Sequence, residues 1–332
     1  MRVIDMHCDT IGILHDKKLR GQEISLRDNL HHVDLKRMKE GKYMLQNFAL
    51  FVYCGCGRDL WDEVCAMAGL YQEEIAKNQD LILPVYKYAD IAANAAQGKM
   101  SAMLTVEEGA VCKGEIEKLE KLYDIGVRMM TLTWNFPNEI GYPNLDSTRE
   151  DKKDFLFVPD TVRGLTEKGR EMVAAMENMG MIVDVSHLSD AGFYDVLDAT
   201  KKPFVASHSN ARSICRCVRN LTDDMLKKLG ERGGCTGLNY APDFLTEVPH
   251  GCENPGTIAG IVEHSKHIVN VAGIETLALG SDFDGIGGHG ELPGVQSLER
   301  LWDGLHKEGF TASDLDKIFC ENVLRVYRDV LK

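Results

Sequence analysis

The feature that most constrains this chain is a repeated change of hydrophobic period. Eight short segments rich in β-branched, aromatic or continuous apolar residues occupy 3–10, 44–53, 101–109, 127–135, 181–187, 204–210, 234–240 and 277–285. Between most of them lie longer stretches with apolar residues at helical spacing, at 60–78, 115–125, 166–179, 188–199, 222–231 and 257–272. Two further helices are expected near 295–308 and 313–331. Start signals support several of these: Thr222 precedes Asp223 and Asp224, and Thr311 stands three residues before Asp314, a capping box with Asp in the Glu role. Strands that read as apolar runs rather than clean alternation are buried on both faces, which points to a parallel sheet covered by helices. Eight strand–helix units fit an α/β fold of the (β/α)8 TIM-barrel kind better than an open doubly wound sheet.

No Gly/Ser linker, low-complexity tract or internal repeat interrupts the pattern, so one domain is expected over residues 1–332. The irregular stretch 136–160 is long for a connection in a compact domain and is expected to be a loop over the functional site. The net charge of −13 argues against nucleic acid and against an anionic membrane surface, since both need a positive field. No apolar run approaches the ~20 residues of a membrane helix. Asp5, His7 and Asp9 break up what would be a signal peptide's apolar stretch, so a cytoplasmic location is expected. The ten cysteines are scattered, and neither Cys54-Gly55-Cys56 nor Cys215-Arg216-Cys217 has the C-x-x-C spacing of zinc ribbons or redox pairs. They read as reduced thiols used for packing.

Polar residues gather at the same end of the strands. His7 and Asp9 end the first, Glu107 and Glu108 the third, and Trp134 and Asn135 the fourth. His187 ends the fifth, His208 the sixth, Asn239 and Tyr240 the seventh, and Asp282 and Asp284 the eighth. Barrel active sites are built on the C-terminal ends of the strands, so these positions are expected to converge. Imidazole and carboxylate together suit Zn²⁺, with Mn²⁺ or Co²⁺ as substitutes. The donors exceed the needs of one tetrahedral ion, which favours two metals about 3.5–4 Å apart with a carboxylate between them and hydrolysis as the chemistry. Any one of these residues has a plain structural reading: His7 as a satisfied core histidine, Asp9 as a helix cap, Asp284 as a turn former before Gly285. Asp5 and Asp184, deeper in the strands, read as supporting partners. It is the coincidence at five strand ends that favours a metal site.

At these residues the chain resembles the membrane dipeptidase, or renal dipeptidase, family of metallopeptidases. The resemblance runs from Asp5 to about Val330 through D-x-H-x-D at 5–9, TVEEG at 105–109, G-x-R-x-x-T-L-T at 126–133, DVSH at 184–187, SHSNAR at 207–212, RN at 219–220, GSDFDG at 280–285 and ENVLRV at 321–326. It implies a metal-dependent barrel that hydrolyses small dipeptides and tolerates a C-terminal D-residue, using a hydroxide shared by two zinc ions per chain. Carried over, His7 and Asp9 would hold one zinc and His187 and His208 the other, with Glu107 between them. Asp282 would be the general acid/base and Arg219, ahead of its neighbours Arg212 and Arg216, would pair with the substrate carboxylate. Trp134, Asn239 and Tyr240 are expected beside the substrate. The family alone implies a homodimer. One departure is Trp134, which stands where animal members have a His; an indole N–H donates one hydrogen bond but carries no charge at pH 7. That departure keeps a second expectation open, hydrolysis of a cyclic amide, a lactone or another non-peptide substrate. A catalytically silent binding barrel would need a broken ligand set, and the set is intact.

Overall fold

The computed structural model describes residues 1–149, 155–249 and 252–332, so residues 150–154 of the expected loop over the site lie outside the described residues. Among the described residues nine parallel strands form one sheet: β1 (Val3–Asp5), β2 (Tyr43–Phe51), β3 (Ile82–Pro84), β4 (Met100–Glu107), β5 (Val127–Thr131), β6 (Ile182–Asp184), β7 (Val205–Ala206), β8 (Cys235–Leu238) and β9 (Leu277–Leu279). Their order is β2-β1-β9-β8-β7-β6-β5-β4-β3, and an added β2–β4 pairing closes eight of them into a (β/α)8 barrel. The closing seam is long, running in register from Leu45 opposite Ser101 to Phe51 opposite Glu107. β3 is outside the sequence expectation. It pairs with β4 over Met100–Ala102, below the point at Leu104 where β5 takes over the same edge, so it adds a ninth strand without entering the ring.

One buried cluster draws Ile4, Leu45, Met103, Met129, Ile182, Val205, Cys235 and Ala278 from the eight barrel strands. Side chains from every strand can meet in one cluster only by pointing inward, so this layer is the barrel's interior. Val323, Val326, Tyr327 and Val330 of the last helix, Asn322–Val330, join the same cluster and seal the end of the barrel away from the site. Tyr327 drives this contact furthest in, its hydroxyl donating to Asn47 Oδ1 at 3.0 Å. The second, larger core lies between the strands' outward side chains and the helices.

The helices Leu60–Lys77, Ile116–Ile125, Glu167–Met179, Asp190–Ala199, Asp223–Glu231 and Ile258–Ala272 fall where helical spacing puts them. Thr222 accepts from Met225 N at 3.2 Å, and Thr311 and Asp314 form the reciprocal capping box. The segment expected at 313–331 is broken into Ala312–Asp316, a π-helical turn Lys317–Glu321, and Asn322–Val330. Among the described residues no helix is long and apolar enough to cross a membrane.

The ladders stop short of the expected strand ends, and the cause is side-chain competition for backbone amides. Asp5 Oδ1 accepts from His7 N at 3.2 Å and Ser281 N at 2.9 Å, and Asp184 Oδ1 accepts from Ser186 N at 3.0 Å and Ser207 N at 2.8 Å. These two carboxylates replace strand pairing at the mouth and let the chain turn. The chemically distinctive side chains therefore sit in the turns just beyond the strands; only Glu107 is on a strand, as its last residue.

Candidate active site

The turns are tight enough to force unusual backbone on non-glycine residues. Glu108, His187, Asp282 and Asp284 all have positive φ, at 91°, 70°, 61° and 70°. Such conformations cost on the order of 1–3 kcal/mol each and persist only where the surroundings over-determine them. Asp9 occupies the N-cap position of the helix Thr10–Leu19, yet its carboxylate makes no capping bond. It turns instead to the ring of His7, with Oδ2 3.2 Å from Nε2. Gly285 allows this closeness: a Cβ there would lie 2.2 Å from Asp9 Oδ2 and 2.4 Å from Asp282 Oδ1.

Glu107 divides its two oxygens between two groups of donors. Oε2 lies 3.3 Å from His7 Nε2, which also faces Asp9 and, at 4.0 Å, Asp282 Oδ1. Oε1 lies 3.0 Å from His187 Nε2 and 3.7 Å from His208 Nε2, and those two nitrogens are themselves 3.0 Å apart. Donors bonded to one Zn²⁺ at about 2.0–2.1 Å stand about 3.3 Å from one another, and the donor atoms here are close enough together to admit a metal ion.

Ser207 gives its only hydroxyl proton to Asp184 Oδ2 at 2.5 Å, so its contact with His208 Nδ1 at 2.7 Å must be donated by the ring. His187 Nδ1 likewise reaches Asn135 Oδ1 at 3.0 Å and, with the amide oxygen accepting, carries its proton there. Both Nε2 atoms then present lone pairs to each other and to Glu107, a repulsive arrangement that a cation between them turns into coordination. His7, Asp9, Glu107, His187 and His208 thus form a buried cluster whose donor atoms could hold a metal ion. Orienting partners on the far nitrogen of a ligand histidine are what such sites use, and Ser207 and Asn135 are residues the sequence reading did not single out as such. Ser207 was visible only as a hydroxyl preceding His208.

Burial dominates the proton affinities. It holds His187 down to about 4, with the Arg219 charge adding to the effect, and His208 well below its ordinary value, with His7 and Arg219 adding. Burial alone would raise Glu107, but the charge of His7 and the hydrogen bond from its ring outweigh that penalty and hold the carboxyl well below the usual carboxylate range. Burial pushes Asp282 up to about 7, opposed by the charge of His7 and reinforced by Asp9 and Glu107.

A cavity of about 430 Å³ opens over this cluster, lined by Asp9, Glu107, Trp134, His187, Arg219 and Asp282 together with residues of the rim. Of the three neighbouring arginines, Arg212 is committed to Asp190 in a two-pronged pair at 2.7 and 2.8 Å, and Arg216 lies at the surface on Glu247. Arg219 is 3 % exposed and has only distant contacts, with Ser209 Oγ at 3.5 Å and the His208 carbonyl at 3.4 Å, while its Nε has no partner. Among the described residues no carboxylate pairs with it, so a buried cation faces the cavity in need of an anion.

The other expectations need adjustment. Asn239 stands behind Asp282 rather than beside a substrate: its amide donates to Asp282 Oδ2 at 2.9 Å and to the His208 carbonyl at 3.3 Å, and its oxygen accepts from Ala241 N. Tyr240 is fully buried against Phe283 and His289, pointing away from the cavity because alternation puts it on the opposite side from Asn239. Glu108 is a structural carboxylate, accepting from Ala110 N, Trp134 N and Asn138 Nδ2 at 3.0, 3.1 and 2.6 Å. Asp284 accepts from Thr10 Oγ1 and His32 N, both at 2.7 Å. From the loop expected at 136–160, Leu145 reaches the cavity.

Comparison with known proteins gives a consistent set. The family described as membrane dipeptidase (peptidase family M19) matches residues 1–332. A Klebsiella pneumoniae protein, an uncharacterized protein in the pqqA 5′ region, is 34% identical over 82% of this chain and 96% of its own length. An uncharacterized dipeptidase of Schizosaccharomyces pombe is 30% identical over 98% of this chain and 80% of its own. Among solved structures, a Rhodobacter sphaeroides metallopeptidase liganded with a phosphinate mimic of the dipeptide L-Ala-D-Ala superimposes with a TM-score of 0.87 at 27% identity, over 99% of both chains.

Proposed function

The chain belongs to the membrane dipeptidase family of metallopeptidases, and from that premise we propose that it is a zinc enzyme cleaving small dipeptides, including those with a C-terminal D-residue. The observation that carries the reading is Arg219, a buried guanidinium without a carboxylate partner among the described residues, beside a cluster of metal-ligating side chains. An enzyme restricted to dipeptides must recognise a free C-terminal carboxylate close to the scissile bond, and a planar guanidinium does so in two-pronged fashion. The mimic bound by the Rhodobacter sphaeroides relative supports the D-residue.

His7 and Asp9 would hold one ion, His187 and His208 a second, with Glu107 contributing one oxygen to each. Bound zinc would polarise the scissile carbonyl and lower the pKa of water towards 7. Arg219 binds the carboxylate and fixes the register of the substrate. Asp282, whose carboxyl is pushed up to about 7 and whose Oδ2 is held by Asn239, takes a proton from the attacking water and passes it to the leaving amine. Ser207 and Asn135 keep the histidine tautomers in the ligating form.

All ten cysteines are free thiols, the state a reducing compartment maintains, and this supports a cytoplasmic location. The test is a panel of L-L and L-D dipeptides on protein of measured metal content. Release of free amino acids from L-D pairs is expected, and turnover only of lactones or cyclic imides would overturn the reading.

A further inference from the structure

On the dipeptidase reading, the strand order gives a direction to a dipeptide held at Arg219. Around the closed barrel the sequence is β1-β2-β4-β5-β6-β7-β8-β9, so β2 stands directly across the mouth from β7. Arg219 sits at the β7 side, its guanidinium 3.4 Å from the carbonyl of His208. A dipeptide with its carboxylate on Arg219 and its scissile carbonyl at the ligand cluster therefore directs its N-terminal residue toward the end of β2.

What waits there is aromatic. Phe51 is the last residue of β2 and Tyr53 follows two positions later, and both line the cavity with Trp134. The Phe51 and Trp134 rings are 4.9 Å apart, and Tyr53 meets Trp134 edge-on at 5.9 Å. The wall is held in place from behind. Glu108 pins the Trp134 backbone, and the Tyr53 ring lies so close over Gly55 that a Cβ there would be 2.7 Å from it. Beyond the wall, Glu63 offers no free charge to a substrate, because Arg58 at 2.7 Å and His15 at 3.3 Å already meet it.

We propose that Phe51, Tyr53 and Trp134 form the pocket for the N-terminal side chain and select dipeptides whose first residue is aromatic or large and apolar. This rests on the dipeptidase reading above. On that basis Trp134 is a specificity residue of this chain, offering an aromatic face to the cavity.

The experiment compares kcat/KM of the metal-loaded enzyme for Phe-Ala, Leu-Ala, Ala-Ala and Asp-Ala, with the C-terminal Ala in whichever configuration is cleaved. Phe-Ala and Leu-Ala are expected to exceed Ala-Ala and Asp-Ala by about tenfold or more, the scale of burying one large apolar side chain. Trp134→Ala and Tyr53→Ala should each shrink the Phe-Ala to Ala-Ala ratio at least about threefold. Tyr53 is 47% exposed, so its variant decides the matter if Trp134→Ala does not fold. A wild-type ratio near one, or a ratio unmoved by the substitutions, overturns the pocket assignment while leaving the dipeptidase reading standing. No cleavage of any dipeptide overturns both.

Discussion

Asp184→Asn tests how the protein itself sets the ligating form of His208. Asp184 Oδ1 accepts from two backbone amides, and Oδ2 accepts from Thr131 Oγ1 at 2.6 Å and Ser207 Oγ at 2.5 Å. In the variant the amide oxygen can keep the two backbone donors, which leaves the NH2 group facing the two hydroxyls. Ser207 then becomes an acceptor towards residue 184, and its proton turns to the nearer of its two remaining partners, His208 Nδ1 at 2.7 Å rather than Ser186 Oγ at 3.4 Å. That reverses the tautomer and places a proton on Nε2, where a ligand lone pair is needed. Loss of such an orienting partner weakens metal binding about 10- to 100-fold, or about 1.4–2.7 kcal/mol. Competition with a chelator of known affinity measures this directly, and near-ultraviolet circular dichroism at saturating metal checks that the barrel is intact. Ser207→Ala removes the same relay without touching Asp184 and should weaken binding in the same direction. A folded Asp184→Asn protein with wild-type metal affinity would refute the tautomer argument.

Arg219→Met should lower kcat/KM for dipeptides by roughly 30-fold or more, since losing one partner of a buried charge pair costs about 2–5 kcal/mol. Measured beside a dipeptide amide, which lacks the carboxylate, the loss should be much smaller. Gly285→Ala places a methyl against Asp9 and Asp282 at 2.2 and 2.4 Å on backbone that a non-glycine residue tolerates, so metal content by elemental analysis and turnover should both fall. Tyr327→Phe removes the bond to Asn47 in the sealed end of the barrel and should cost about 1–3 kcal/mol in urea unfolding, with kcat unchanged because the site lies at the other end.

Much of this architecture is legible in the sequence because helices that cover a barrel bury one face only. Leu60–Lys77 and Ile258–Ala272 therefore show their period and their caps plainly. Where contrast is weak, the reading fails. The helix Tyr88–Ala96 is alanine-rich, and Thr10–Leu19 follows so closely on β1 that its first residue reads as strand. β3 has three residues and one pairing partner, too little to mark a period. The candidate ligands stand out because histidines and carboxylates are rare at the ends of apolar runs. Residues acting through them do not: nothing in the one-dimensional pattern separates Ser207 from an ordinary polar residue, or shows that Asn239 faces Asp282 instead of solvent. Nor does the sequence reveal that Phe51, Tyr53 and Trp134 share a wall, since only closure of β2 onto β4 brings the second and fifth strands' ends together.

The role of Asp282 as general acid/base is tested most directly by measuring bound metal and dipeptide turnover on the same preparation of Asp282→Ala. Retention of two zinc ions per chain with turnover reduced about 10²-fold or more is the predicted result. Full activity of the metal-loaded variant on every dipeptide the wild type cleaves would contradict it.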